Sequence, residues 1–337
     1  MHSSGNQVPK PRIALAIGDP AGIGPELAAR MAADPEVNEA VALTIVGDRR
    51  VLDRGAWEAG IDLRAECPNL VFRDLGNLDP QSIELGVAVE AGGRSALANF
   101  RTCLEMAKGG AADAVCFTPF NKAAMKLGDP SYEDEIGFAL RVLGVSGPAS
   151  EFNVLDGLWN ARVTSHVPLS KVASLITEPS VLRGIRLTDA SMREAGFGEP
   201  RIAVAALNPH AGDGGNFGHE DDEVIRPAVE RAQRDGIKAD GPFPSDTVFL
   251  RATKGAFDAV LTMYHDQGQI AMKLLGFERG VTLLGGFPFP ICTPAHGSAY
   301  DISGRGIAHP GATRNAILLA ARVAASRAGV GAEPALA

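Results

Sequence analysis

The chain has 337 residues, 45% of them apolar and 6% aromatic, enough to bury the core of one large domain or of two. A formal net charge of −8, with no run of five or six like charges, argues against nucleic acid or an anionic membrane as the partner. The opening MHSSGNQVPKPR lacks the apolar core of a signal peptide, and no segment approaches the ~20 apolar residues of a membrane span, so a cytoplasmic protein is expected.

Residues 1–10 read as a tail. IALAIG (13–18), bounded by Gly-Asp-Pro, fits a buried parallel strand, and GPELAAR starts a helix with Pro25 in its first turn, where a missing N–H is harmless. ALTIVGD (42–48) is a second strand. Leu85–Gly109 has helical spacing, interrupted by the Gly92-Gly93 pair, which predicts a break. Strands follow at 113–120, 151–156, 161–169, 201–210 and 259–266, with helical stretches over Ser170–Arg193 and Asp222–Arg234 and an amphipathic helix near the C-terminus. Strands alternating with helices predict an α/β architecture with a mainly parallel sheet. Cys67, Cys103, Cys116 and Cys292 form no CxxC pair and read as reduced, buried thiols.

Several strands end in polar residues beside Gly or Pro: Gly18-Asp19-Pro20, Thr118-Pro119-Phe120-Asn121-Lys122, Ser165-His166, Asn208-Pro209-His210 and His265-Asp266-Gln267-Gly268. Ligands of open α/β sheets sit at the carboxyl ends of strands, so these ends predict one shared site. His166, His210 and His265 occupy equivalent strand ends, and with Asp246 in FPSDTVF they form a plausible divalent-metal set, although no short-range spacing such as HExxH supports it. Lys122 and Lys273 are candidates for charge stabilisation or proton transfer, the alternative being surface lysines. The glycines at 18, 22 and 24 do not make a GxGxxG fingerprint; they suit a phosphate cradle or a tight strand-to-helix turn equally well. HGSAYDISGRGIAHP (296–310) crowds small residues around Asp301, either as an ordinary loop or as one whose carboxylate accepts from a ribose diol.

HGSAYDISGRGIAHP also resembles the cofactor loop of isopropylmalate and isocitrate dehydrogenases. GDPAGIGPE, TPFNKAAM, TSHVPL, LNPHAGDGGNFG, GPFPSDTVF and YHDQGQIAMK resemble, in order, motifs of the 4-hydroxythreonine-4-phosphate dehydrogenase (PdxA-like) family over residues 12–325. The resemblance implies a two-domain α/β/α homodimer of the isocitrate/isopropylmalate dehydrogenase-like fold. A first domain would span 10–130 plus 300–330 and a second 131–299, with the active site in the cleft and at the dimer interface. It implies a divalent metal (Zn, Co, Ni, Mn or Mg) on His166, His210 and His265, with Asp246 at the same metal and in catalysis. It further implies substrate binding and catalysis by Lys273, and NAD on His296, Gly297, Ser298, Ala299 and Asp301. The implied reaction oxidises a secondary hydroxyl of a small hydroxy-carboxylate, with decarboxylation when the product is a β-keto acid.

Asn121, Lys122, Glu135, Ile136 and Thr282 fall at the substrate end, where the chain departs from the family. YEDEIGF (132–138) lacks the family's His-Thr pair, Thr282 replaces an Asn, and FPFPICTP (287–294) lacks an Arg. Arg is the natural bidentate phosphate ligand, so an unphosphorylated substrate is expected. Two alternatives stand beside it: a true 4-hydroxythreonine-4-phosphate dehydrogenase, and a ligand-binding descendant without turnover.

Overall fold

The computed structural model describes residues 9–329, which form two compact units: 9–145 with 289–329, and 146–288. Of the tail expected at 1–10, residues 1–8 lie outside the described part. The chain opens in the first unit with β1 (Arg12–Ala16), α1 (Gly24–Ala33), α2 (Pro35–Ala40), β2 (Ala42–Gly47), α3 (Arg49–Ala59) and α4 (Leu63–Glu66). There follow β3 (Val71–Asp74), α5 (Glu90–Lys108), β4 (Ala114–Phe117), α6 (Lys122–Gly128) and α7 (Glu135–Leu143). The second unit contains β5 (Ser150–Leu155), β6 (Leu158–Arg162), α8 (Leu169–Leu175), α9 (Glu178–Glu194), β7 (Ile202–Ala205) and α10 (Arg226–Arg234). It continues through β8 (Ala239–Phe243), α11 (Ser245–Ala252), β9 (Ala259–Thr262), α12 (His265–Gly276) and β10 (Val281–Gly285). The chain returns to the first unit for β11 (Ile291–Pro294) and α13 (Gly311–Arg327).

The first unit carries the strand order β3-β2-β1-β4-β11, all parallel. The second carries β10-β5-β6-β9-β7-β8, parallel except that β5 runs against both its neighbours. The fold is thus α/β with a mainly parallel arrangement, as the alternating pattern requires. Strand residues such as Leu15, Ile45, Val204 and Leu261 are fully buried because helices cover the faces of a parallel sheet. All four cysteines are buried free thiols. No helix among the described residues is long and apolar enough to cross a membrane.

Four local features differ from the sequence expectation, each for a visible reason. The strand expected at 161–169 lies at Leu158–Arg162, because Asp156-Gly157 makes a two-residue hairpin turn with positive φ at both positions and brings Leu158 opposite Leu155. The Gly92-Gly93 pair does not break α5. A Cβ on Gly93 would lie 3.0 Å from Met125 N and nearer still to the Ala124 carbonyl, so glycine is what allows α5 and α6 to touch. The helix expected over 170–193 is two helices, since Thr177 starts α9 with a reciprocal Thr177–Ser180 capping box and Pro179 in its first turn. The stretch 222–234 opens with a π turn over Asp221–Ile225 before α10 begins.

Tyr132 and Phe138 are buried, and Phe138 stacks on Phe100 with ring centroids 5.6 Å apart. Phe117 and Phe120 stack at 4.4 Å in the same aromatic core. Tyr132 and Phe138, the two ends of the 132–138 stretch, therefore serve packing.

Candidate active site

In the first unit, three loops at the carboxyl ends of strands meet. Gly18 N–H donates to Thr118 Oγ1 at 2.8 Å and Asp19 N–H to Pro119 O at 2.9 Å, tying the turn after β1 to the loop after β4. Ile23 N–H donates to Ser298 O at 3.0 Å, tying the same turn to the loop after β11. A Cβ on Gly18 would run into the Thr118 and Pro119 carbonyls, and one on Gly22 would sit 2.7 Å from Ser298 Cβ. These two glycines therefore serve close backbone packing; the face they would need as a phosphate cradle is taken by protein.

Asp19 organises this junction while only 1% exposed. Its Oδ1 accepts Ala21 N–H at 3.0 Å and its Oδ2 accepts Tyr300 Oη–H at 2.5 Å. Burial raises the Asp19 carboxyl above its ordinary range, with the Tyr300 hydrogen bond and the nearby Arg54 opposing the rise. Arg54 itself donates to Pro20 O. Asn121 caps α6 through Ala124 N–H at 3.0 Å, and its amide reaches Ser298 Oγ at 3.5 Å. Lys122 stands 3.9 Å from Glu135, which sets a cation beside that carboxylate, while Asp134 caps α7 by accepting Gly137 N–H at 2.7 Å. Ile136, beside Glu135 in the first turn of α7, is half-buried.

The 296–301 loop keeps an open side. Gly297 is exposed with no heavy atom within 4 Å of where its Cβ would lie. Asp301 is exposed, and Ser298 is buried against the turn after β1. Burial lowers the His296 pKa, which favours the neutral ring, and its Nδ1 lies 3.1 Å from Gly297 O. Ala299 adopts left-handed angles (φ 44°, ψ 62°), a conformation costing about 1–2 kcal/mol for a residue with a Cβ. An open glycine backbone beside an unencumbered carboxylate suits a dinucleotide's ribose.

In the second unit, His166 follows β6 and His265 starts α12 directly after β9, with ring centroids 5.5 Å apart. His265 Nδ1–H donates to Asp266 Oδ1 at 2.6 Å, an arrangement that leaves its Nε2 lone pair available. His210 lies further along, in a turn where residues 210–214 all have positive φ, and its ring rests 6.1 Å from that of Phe217. Buried Asp221 anchors this strained turn, accepting Leu207 N–H at 2.8 Å and Asn208 N–H at 3.1 Å. Asp246 is exposed in the first turn of α11, and Lys273 is exposed on α12 two turns beyond His265. The structure thus joins two of the three histidines. Among the described residues, no three His, Cys, Asp or Glu side chains are grouped closely enough to hold a metal. Two imidazoles, one backed by a carboxylate, nonetheless have the donor chemistry of a divalent-ion site.

Residues given no individual role by the sequence support this half. Gln267 accepts Met263 N–H at the end of β9 and donates to Ala206 O at the end of β7, both at 2.7 Å. It therefore fixes the strands that lead to His265 and His210. Gly268 faces the Asn160 side chain, where a Cβ would lie 2.6 Å from the amide nitrogen. Gln269 donates to Asn153 Oδ1 at 2.7 Å, the same atom that buried Arg162 reaches at 2.9 Å, and Asn153 Nδ2 lies 3.4 Å from Thr282 Oγ1. The polarity of YHDQGQ in a segment following an apolar strand was the available signal for Gln267 and Gln269. Nothing in the local sequence marks Asn153 or Arg162.

A family model described as "Pyridoxal phosphate biosynthetic protein PdxA" matches residues 39–320. A putative 4-hydroxythreonine-4-phosphate dehydrogenase 2 from Rhizobium meliloti (strain 1021) is 56% identical over 333 residues, covering 96% of each chain. The crystal structure of the 4-hydroxythreonine-4-phosphate dehydrogenase from Klebsiella pneumoniae superimposes with a TM-score of 0.80 at 31% identity, covering 94% of this chain and 100% of the other. A terephthalate 1,2-cis-dihydrodiol dehydrogenase from Burkholderia xenovorans LB400 superimposes with a TM-score of 0.65 at 28% identity, covering 93% and 98%.

Proposed function

The chain belongs to the PdxA family, and we propose that it is an NAD- and divalent-metal-dependent dehydrogenase that oxidises the secondary hydroxyl of a four-carbon hydroxy acid carrying a 4-phosphate. The dehydrogenase class comes with the family; cofactor, metal and substrate are the proposal. The observation that carries it is the His166–His265 pair with Asp266 behind one ring.

The dinucleotide supplies the hydride acceptor, and a divalent cation, when bound, polarises the hydroxyl being oxidised and lowers its pKa. His166 and His265 would hold the cation; His210 and Asp246, which do not group with them among the described residues, remain the candidates for the rest of its shell. Asp266 keeps the His265 tautomer and ring orientation, and Gln267 holds the strand ends from which His210 and His265 issue. Lys273 is assigned the substrate, where its side chain would bind the acid and stand within reach of the hydroxyl proton. In the first unit, Gly297 and Asp301 receive the dinucleotide, and the Asp301 carboxylate favours NAD by repelling a 2′-phosphate. Oxidation that yields a β-keto acid is followed by loss of CO₂. Ile270 and Leu274, one turn apart on α12, are 61% and 83% exposed, an apolar face that fits a homodimer.

The unphosphorylated substrate expected from the missing Arg is the weaker reading, since relatives at 56% and 46% identity carry the name of a 4-phosphate dehydrogenase. Lys122, half-exposed beside Glu135, supplies a cation at the substrate end. The dihydrodiol dehydrogenase likeness, with buried Phe287 and Phe289 in the segment that lacks the Arg, favours a carboxylate diol as the second reading.

The test is NAD reduction, followed by absorbance, on 4-hydroxythreonine 4-phosphate, D-threonate 4-phosphate, their unphosphorylated forms and a cis-dihydrodiol carboxylate, each with and without EDTA. The proposal expects a phosphorylated acid to lead and EDTA to abolish turnover reversibly. Equal rates on phosphorylated and unphosphorylated acids, or rates indifferent to EDTA, would sink it.

A further inference from the structure

Residues 296–303 hold their shape against local strain. Ala299 keeps left-handed angles that a residue with a Cβ adopts only where neighbouring contacts fix it. Three such contacts reach the turn after β1. Ile23 N–H donates to Ser298 O at 3.0 Å, Ser303 Oγ–H to Ala21 O at 2.8 Å, and Tyr300 Oη–H to Asp19 Oδ2 at 2.5 Å. Of these three, only the last has a carboxylate acceptor, and bonds to an ionised acceptor are shorter and stronger than neutral ones. Asp19 is shut off from competing water and pinned on its other oxygen by Ala21 N–H at 3.0 Å. Its Oδ2 is therefore held in place to receive the hydroxyl. Tyr300 adjoins Ala299, so this bond acts directly on the strained residue.

We propose that the Tyr300–Asp19 hydrogen bond is a latch that holds the 296–303 loop in its dinucleotide-binding shape, setting affinity for NAD and leaving the chemical step alone. The inference rests on the assignment of the dinucleotide to this loop. Tyr300 is a positioning residue here. Without the hydroxyl, Ala299 is free to leave the left-handed region, and binding must then reorder the loop at the expense of affinity.

Tyr300→Phe keeps the ring and removes only the hydroxyl. In calorimetric titration of NAD into the full chain, the Kd should rise about tenfold, the 1.4 kcal/mol of a single hydrogen bond. The kcat should stay within about twofold at saturating NAD. Amides of 296–303 should exchange faster in the NAD-free variant. Adding Ala299→Gly to Tyr300→Phe should recover part of the affinity, because glycine adopts positive φ without the Cβ penalty. A merely structural loss would lower the melting temperature and would not be rescued in this way. If wild type binds NAD and Tyr300→Phe binds it equally, or if kcat falls while Kd holds, the latch is refuted. A wild type that binds no NAD overturns the dinucleotide assignment, and the latch with it.

Discussion

Gln267→Ala tests whether the YHDQG segment is built to aim histidines. The Gln267 side chain spans two strand ends, accepting from Met263 N–H and donating to Ala206 O, both at 2.7 Å. Met263 and Ala206 are both fully buried, so truncation orphans one N–H and one C=O where water reaches poorly. At roughly 1–3 kcal/mol for each unsatisfied buried group, the variant should lose about 2–6 kcal/mol of stability in urea melts. Met263 lies two residues before His265 and Ala206 four before His210, so both of these proposed ligand positions loosen. Divalent-metal affinity by calorimetry should then fall about 10–100-fold, as on loss of an outer-shell partner. Gln267→Glu keeps an acceptor for Met263 N–H but sets a carboxylate oxygen against the Ala206 carbonyl, so it should do at least as badly. The reasoning is refuted if both variants melt within about 0.5 kcal/mol of wild type, the range of neutral surface changes, and bind metal with unchanged affinity.

Gly93→Ala should destabilise by about 1–3 kcal/mol, because the added methyl meets the α6 backbone and neither helix can yield cheaply. Gly198→Ala, where the methyl finds open space, should be neutral or slightly stabilising in the same melts; equal losses at both positions would contradict the packing argument. Asp48 caps α3 through Arg50 N–H, accepts Leu78 N–H and pairs with the Arg50 guanidinium, which holds its carboxyl below the ordinary carboxylate range. A carboxyl depressed in the folded state contributes stability above its unfolded pKa and loses it as pH falls through the folded value. Asp48→Asn keeps a competent cap but loses the ionised acceptor and the Arg50 pair, so it should cost about 1 kcal/mol at pH 7, with the difference from wild type shrinking as pH falls through the folded value; a pH-independent gap would refute the ionic part of the cap.

The chemistry at the strand ends was legible because strand periodicity and Gly/Pro punctuation are local properties. They marked His166, His210 and His265, and the loops after β1 and β4, as candidates; the loop after β11 stood out only by its small residues around Asp301 and by resemblance. Where local signals compete, the apolar pattern can mask the turn or cap beside it. The Asp156-Gly157 hairpin and the Thr177 capping box were both written in the sequence, yet the apolar pattern beside them dominated. Gly92-Gly93 reads as a helix breaker until α6 is seen pressing against it.

By itself, the sequence determined the α/β class, the run of strands that end in polar residues and the motifs that carry the family. The tertiary structure decided which of those residues meet. His166 and His265 stand together, while His210 sits in a left-handed turn anchored by Asp221. Tyr300 reaches Asp19 across 281 positions of chain, and Gln267 reaches the Ala206 carbonyl across 61. Periodicity reports only on neighbours three or four residues away in a helix and two in a strand. Hydrogen bonds between distant loops, and backbone approaches that exclude a Cβ, exist only once the sheet has set its strands side by side.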